Sequence, residues 1–108
     1  MNEANPSTLL FLRALSSDKR LLILQWLADP TVHFAPQKDG DLEKDGVCLG
    51  AIVRKLGLKQ PSVTEHMKIL VAANLVQSKS IKTWVFYKLD REACSEALDQ
   101  LKEVLSVQ

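Results

Sequence analysis

The chain has 108 residues, of which 46% are apolar and 25% are charged. This length accommodates one compact domain, and the composition excludes a disordered or fibrous chain. The net charge of +1 favours no class of partner, and two cysteines are too few for a disulfide framework. We therefore expect one domain over residues 1–108, acting in the reducing cytoplasm.

Membrane insertion and export are not expected. The apolar runs are far shorter than the roughly 20 residues that cross a bilayer. Residues 1–6 lack the basic region and apolar core of a signal peptide.

Residues 7–15 predict a first helix that is apolar around most of its axis. Such a helix needs cover on two sides, and in a chain this small we expect a second subunit to provide the second cover. Leu9 and Leu12 are the residues of this helix that we assign to a dimer interface.

Asp18 is the predicted N-cap of a second helix over residues 19–28, which Asp29 and Pro30 end. Residues 31–47 follow with proline, two glycines and alternating charges, and they predict a loop. The loop is long for a compact domain, and loops of this length usually carry function or are mobile.

Two short helices joined by a glycine turn form the most informative part of the sequence. The first covers residues 49–56 and stops at Gly57, which suits a left-handed C-cap. The second starts at Gln60 or Pro61 and runs to about residue 73. A helix, a glycine turn and a second helix are typical of the helix-turn-helix. Its docking side is predicted to contain Val63, Met67 and Leu70 against Ile52 and Leu56.

The opposite side of this second helix is polar and suits the reading of DNA. Glutamine can pair with adenine, glutamate accepts from cytosine, and lysine reaches guanine or phosphate. The predicted DNA contacts on and beside this helix are Lys59, Gln60, Ser62, Thr64, Glu65 and Lys68.

Residues 75–78 and 84–89 predict two strands, joined by a turn over residues 79–83. Lys79 and Lys82 near the tip are expected to contact the DNA backbone or minor groove. Trp84 beside the tip is a candidate for lining a ligand site.

Asp90 is the predicted cap of a last helix whose apolar positions repeat with helical spacing. Leu98, Leu101 and Leu105 on this helix are assigned to the dimer interface together with Leu9 and Leu12. Cys94 takes a core position, as a small apolar residue would.

The charge is concentrated in one part of the chain. Residues 54–88 contain seven lysines and arginines against the single acid Glu65, and acidic segments flank them on both sides. This distribution is expected when one face meets a polyphosphate, although a solvated basic surface would give the same pattern.

The sequence resembles the ArsR/SmtB family of winged-helix repressors. The resembling segments are residues 14–24 (ALSSDKRLLIL), 56–70 (LGLKQPSVTEHMKIL), 73–76 (ANLV) and 85–89 (VFYKL). The resemblance implies a mostly helical α+β winged helix-turn-helix with five helices and a two-stranded wing. It also implies a homodimeric repressor that binds an imperfect palindromic operator on double-stranded DNA and that an inducer releases.

The sequence departs from the family pattern in three places. The connection over residues 31–47 is longer than usual, and the wing tip contains no glycine. The metal-sensing members have paired cysteines near the start of the third helix, where this chain has only Cys48, and no histidine follows His66. Neither a metal site nor a cofactor is therefore expected.

Two alternatives to a simple repressor stay open. One is regulation by an effector: Cys48 and Cys94 come from regions whose cysteines pair in some relatives, which suits a thiol-redox effector, and an unidentified small molecule is the other candidate effector. A winged helix used only for protein contact is the other. An enzyme is not expected, because no phosphate loop, nucleophile motif or catalytic set is recognisable. His66 is expected to be structural or to contact phosphate.

Overall fold

The computed structural model describes residues 5–108. The expectation that residues 1–6 are not a signal peptide rests mostly on residues 1–4, which lie outside the described range. Within residues 5–108 the chain forms six helices and a three-stranded sheet. The elements are α1 (Pro6–Leu15), α2 (Asp18–Ala28), α3 (Pro30–His33), β1 (Val47–Cys48), α4 (Leu49–Leu56), α5 (Gln60–Ala72), β2 (Val76–Ile81), β3 (Trp84–Leu89) and α6 (Arg91–Leu105). In this described part no helix has the length and hydrophobicity of a membrane span.

The helix boundaries agree with the predicted ones, with one correction at a cap. The hydroxyl of Ser17, and not the carboxylate of Asp18, accepts the hydrogen bond that caps α2, from the Arg20 amide at 3.2 Å. Asp18 instead lies in the first turn. Asp90 caps α6 as expected, accepting from the Ala93 amide at 3.0 Å.

The prediction of an uninterrupted loop over residues 31–47 is wrong at both ends. The short helix α3 occupies its start, and strand β1 its end. β1 pairs antiparallel with β3, with Val47 opposite Tyr87 and Cys48 opposite Phe86, which gives the strand order β1-β3-β2. A strand of two residues is too short to show an alternating pattern. Its pairing partner β3 also lies far along the chain, so no local signal predicts it. Residues 34–46 remain irregular, and we call them the long loop.

The second strand of the hairpin, β3, has the predicted bounds, whereas β2 is longer and the turn is tighter than predicted. β2 continues to Ile81, so that the turn consists of Lys82 and Thr83 alone. Lys82 adopts a φ of 56°, in the left-handed region that usually favours glycine. The missing glycine at the wing tip is thus replaced by a lysine in an uncommon backbone conformation.

The two faces of the sheet have different surroundings. Side chains alternate along a strand, so Val47, Val85 and Tyr87 share one face with Val76, which we call the inner face. Val47, Val76 and Tyr87 belong to the main core, which is made by the helices and this face. Its fully buried members from the helices include Ala14, Ile23, Ile52, Val63, Met67 and Leu70.

The long loop covers part of the opposite, outer face of the sheet, which carries Cys48, Trp84 and Phe86, while Leu42 of the loop packs into the main core. Phe86 is only 1% exposed, and Gly40 lies against its ring. A side chain at Gly40 would place its Cβ 2.8 Å from Phe86 Cε1, and the φ of Gly40 is 80°. Glycine is therefore required where the loop crosses the sheet.

Candidate nucleic-acid interface

Helices α4 and α5 and the turn between them form a helix-turn-helix. Gly57 ends α4 with a φ of 68° and donates its amide to the Val53 carbonyl at 3.0 Å. The Lys59 carbonyl accepts from the amide of Ser62 at the start of α5. Val63, Met67 and Leu70 are fully buried in the same core as Ile52, as the sequence predicted.

The polar side of α5 is open to solvent. The predicted contacts Gln60, Ser62, Glu65 and Lys68 are exposed, as is Lys59 in the turn, and Thr64 is half-buried. Residues three apart share a side of a helix, so Ser62, Glu65 and Lys68 form one continuous arc. We call this the polar arc. Its side chains offer the donors and acceptors that match base edges and phosphates.

The inner face of the wing borders the polar arc. An open hollow of about 430 Å³ lies between α5 and the hairpin, with Lys68 on one side and Ser78 and Ser80 on the other. Both serines are exposed, and neither was among the residues predicted to contact DNA. Ser78 lies opposite Tyr87 and Ser80 opposite Val85. Ser78 was within the predicted strand, and a prediction that extended this strand to Ile81 would have placed Ser80 on the same face.

The two predicted wing lysines lie against carboxylates of the long loop. Lys79 forms an ion pair with Asp45, and Lys82 Nζ lies 3.4 Å from Asp39 Oδ1. The Lys79 hydrogen bond and the Asp41 backbone hold the pKa of Asp45 below its ordinary value. The lysine side chains stay 52% and 73% exposed. Their charges are therefore accessible to phosphate but partly offset by the loop.

Arg20 of α2 connects helix α5, whose polar side forms the candidate interface, to helix α1. This role of Arg20 was not predicted from the sequence. Its Nε donates to the Ala14 carbonyl at 2.8 Å, its Nη2 to the Arg13 carbonyl, and its Nη1 lies 3.0 Å from His66 Nδ1. Arginine can only donate, so Nδ1 of His66 accepts and the imidazole is neutral. Burial and then the Arg20 charge lower the pKa of His66.

The two cysteines are free thiols in different surroundings. Cys94 lies on the core-facing side of α6 and donates to the Leu75 carbonyl at 3.6 Å, and burial raises the pKa of its thiol. A raised pKa reduces the thiolate fraction, which disfavours a reactive role. Cys48 lies on the outer face of the sheet, opposite Phe86 in β3. Across residues 5–108, no three histidine, cysteine or acidic side chains are arranged to hold a metal ion.

The residues assigned to a dimer interface lie on two adjacent helices, since α1 packs against α6. Leu9, Leu12, Leu98 and Leu105 are between 42% and 62% exposed. Leu101 differs, because it packs against the core of its own subunit. Four half-exposed leucines on neighbouring helices form an apolar surface of the kind that marks an interaction site.

Comparison with known proteins identifies the family. The chain is 40% identical over 90 residues to the HTH-type transcriptional regulator YbzH of Bacillus subtilis, which covers 83% of this chain and 90% of YbzH. No protein-family model matches the sequence. NolR from Sinorhizobium fredii superposes over the whole of both chains with a TM-score of 0.59 at 25% identity. An ArsR family transcriptional regulator superposes with a TM-score of 0.64 at 15% identity, covering 100% of this chain and 99% of its own.

These similarities and the fold define a winged helix-turn-helix transcriptional regulator. The chain belongs to the ArsR/SmtB family. It is a DNA-binding regulator of transcription, as the sequence predicted. The α+β winged-helix class is likewise confirmed, with one more helix and one more strand than expected.

Proposed function

We propose that this regulator binds an imperfect palindromic operator on double-stranded DNA as a symmetric homodimer and represses transcription. We also propose that it acts in the cytoplasm. The observation that carries the proposal is the polar arc, which is exposed beside the inner face of the wing. Ser62, Glu65 and Lys68 are presented together by a helix whose other side is fully buried. Such a helix can enter a major groove without rearrangement of the core.

The residues of the interface divide into two roles. Gln60, Ser62, Thr64 and Glu65 lie at the start of α5, where a recognition helix contacts base edges. Lys59, Lys68 and Lys82 are the proposed phosphate contacts near the polar arc, which fix the register of the protein on the duplex. Lys79 is proposed as a further and weaker contact, because it lies on the outer face of the sheet opposite Phe86 and is paired with Asp45. Ser78 and Ser80 join them as neutral donors from the wing.

The dimer is supported by the exposed leucines of α1 and α6. We propose one domain over the whole chain, in which these terminal helices bring two recognition helices together. Two helices related by a two-fold axis read half-sites about 10 base pairs apart. An inverted repeat of this spacing is therefore the expected operator.

Selection from random duplex DNA, followed by fluorescence-polarisation titrations over a range of salt concentrations, tests the proposal. We expect an inverted repeat to be enriched. Lys68→Ala should reduce the slope of log affinity against log salt by about one, because one phosphate contact is lost. Lys82→Ala should reduce it less, since Asp39 already offsets part of that charge. Ser62→Ala should relax the preference at one base position in each half-site.

Lys102→Ala on α6 is the matched control for removing an exposed lysine, and its salt slope should equal that of the parent. Transcription in vitro from a promoter containing the repeat should fall when the protein is added. Enrichment of sites without symmetry would refute the palindromic operator. A Ser62→Ala variant that weakens binding equally on all DNA would refute its role in reading bases.

A further inference from the structure

Two adjoining hollows open on the outer face of the sheet, between the long loop and α4. They enclose about 540 and 200 Å³ and share Gln37, Lys38, Cys48 and Arg54 in their walls. Together we call them the outer cavity. Cavities that bind small molecules in proteins usually enclose about 300 to 1,000 Å³, so the space suffices for a small ligand.

The walls of the outer cavity are cationic. Lys38, Arg54 and Lys55 line it, and within residues 5–108 none of the three forms an ion pair. Among the residues that the structure describes, no carboxylate lines the larger hollow, and Asp39 in the smaller one is paired with Lys82. Positive charge that no protein carboxylate neutralises favours an anionic occupant.

Gly50 allows the Arg54 guanidinium to lie against the start of α4. A Cβ at this position would lie 3.2 Å from Arg54 Nη1. Gly50 is the second residue of α4, and its lack of a Cβ leaves room for this guanidinium. The N-cap residue Cys48 makes no side-chain capping bond, so the first-turn amides of α4 remain free of a capping side chain. Such amides also attract anions.

Aromatic side chains form the apolar part of the smaller hollow. Trp84 is 51% exposed and lines it together with the buried Phe86. A half-exposed indole beside a guanidinium offers a flat surface for stacking and a bidentate partner for a carboxylate. This combination suits a ligand that has both a ring and a negative charge.

The outer cavity and the polar arc lie on opposite faces of the sheet. Trp84, Phe86 and Cys48 belong to the outer face, whereas the hollow beside α5 is lined by Val85 and Tyr87 of the inner face. A duplex seated on the polar arc therefore does not occupy the outer cavity. One wall of the cavity is the long loop, the segment in which this chain departs from its family.

We propose that the outer cavity binds a small aromatic carboxylate, with its carboxylate on Arg54 and Lys38 and its ring on Trp84. The bound molecule regulates DNA binding through the wing. The regulatory part rests on the function proposed above. The connection to the wing is direct, because Asp39 and Asp45 of the loop pair with Lys82 and Lys79 at the hairpin. Gln37 fixes the base of the loop by accepting from the Cys48 amide at 2.7 Å and donating to the Gly46 carbonyl at 3.0 Å.

Titration of the full chain with 2-naphthoate, followed by the amide and indole signals in ¹H–¹⁵N NMR spectra, tests the site without DNA. We expect saturable shifts of the Trp84 indole and the Ala51 amide, with a Kd below about 1 mM. The neutral 2-naphthamide should bind at least about tenfold more weakly than 2-naphthoate, because it lacks the charge-assisted contacts.

Arg54→Gln should weaken 2-naphthoate binding about tenfold or more. Gly50→Ala should also weaken binding, by displacing the guanidinium, while leaving the chain at least as stable. Lys44→Gln, on the same loop but outside the cavity, is the matched control and should bind as the parent does. Shifts that do not saturate, equal binding of acid and amide, or full binding by Arg54→Gln would each overturn the site.

The regulatory part is tested by repeating the DNA titration with 2-naphthoate at saturation. We expect the DNA affinity to change by at least about threefold in the parent and to stay constant in Arg54→Gln. An unchanged affinity in the parent would overturn the regulation and leave the site intact. Failure of the proposed function is distinguishable, because selective DNA binding would then be absent without any ligand.

Discussion

Arg20 is the side chain through which three helices meet. It belongs to α2, donates to the last turn of α1 through the Arg13 and Ala14 carbonyls, and contacts His66 on α5. Charge-assisted hydrogen bonds of this kind are stronger than neutral ones. The orientation of the recognition helix therefore depends on a histidine that must be neutral to accept.

This dependence predicts how stability changes with pH. The pKa of His66 in the folded chain lies below its ordinary value of 6.5, mainly because the side chain is buried and then because of Arg20, although Asp18 and Glu65 oppose the shift. Below pH 6.5 the unfolded chain binds this proton before the folded chain does. The contribution of His66 to stability is therefore complete above pH 6.5 and is lost as the pH falls through its folded pKa.

Urea unfolding between about pH 5 and 7 measures the effect. His66→Gln, whose amide oxygen can still accept from Arg20, should show a smaller loss of stability on acidification than the parent. His33→Gln removes the other histidine and is the matched control, expected to keep the slope of the parent. Equal slopes in parent and His66→Gln would show that this imidazole does not control the acid sensitivity.

At the scale of elements, the long loop is held to the sheet by backbone that only glycine permits. Gly46 has a φ of 106°, and a Cβ there would collide with the Tyr87 carbonyl of β3. Gly57 also has a positive φ, of 68°, but a Cβ there would meet no atom within 4 Å. A side chain at Gly57 would therefore cost backbone strain alone, whereas a side chain at Gly46 would cost backbone strain and a steric clash.

Gly57→Ala should lower the free energy of unfolding by about 1 kcal/mol, the cost of a left-handed alanine. Gly46→Ala should lower it by about 3 kcal/mol, because the clash with β3 adds to that cost. Denaturant titrations of both variants measure the difference. Similar losses in the two variants would mean that the loop moves away from the sheet without penalty.

At the level of the whole molecule, the terminal helices expose apolar side chains within the described residues 5–108. Leu98 is 50% exposed on α6, and Leu9 on α1 is 48% exposed. Both are expected to be buried when two copies of the chain associate. Leu101 is a poorer place to test this surface, since it packs against the core of its own subunit and a charge there would also destabilise the fold.

Leu98→Glu should convert the proposed dimer to a monomer, because two carboxylates would be buried at a symmetric apolar contact. Sedimentation velocity measures the change directly. Val32→Glu on α3, where the parent side chain is 70% exposed, is the matched control and should remain dimeric. A dimeric Leu98→Glu variant would place the interface elsewhere.

The helix-turn-helix and the last helix were predictable from the sequence. Their signals are local: helical spacing of apolar residues, Gly57 at a C-cap, Pro61 in a first turn and Asp90 at an N-cap. The polar arc of α5 followed from the same spacing, since burying one side of a helix exposes the other. These features need only neighbours within a few residues.

The pairing of the wing lysines with the long loop depends on the folded chain and was not predictable from the sequence. Lys79 and Asp45 are 34 positions apart, and Lys82 and Asp39 are 43 apart. No periodicity connects residues at such distances, because their contact depends on how the loop crosses the packed sheet. The same applies to β1, which exists only where β3 supplies its hydrogen bonds, and to the outer cavity, whose walls come from the loop, α4 and β3.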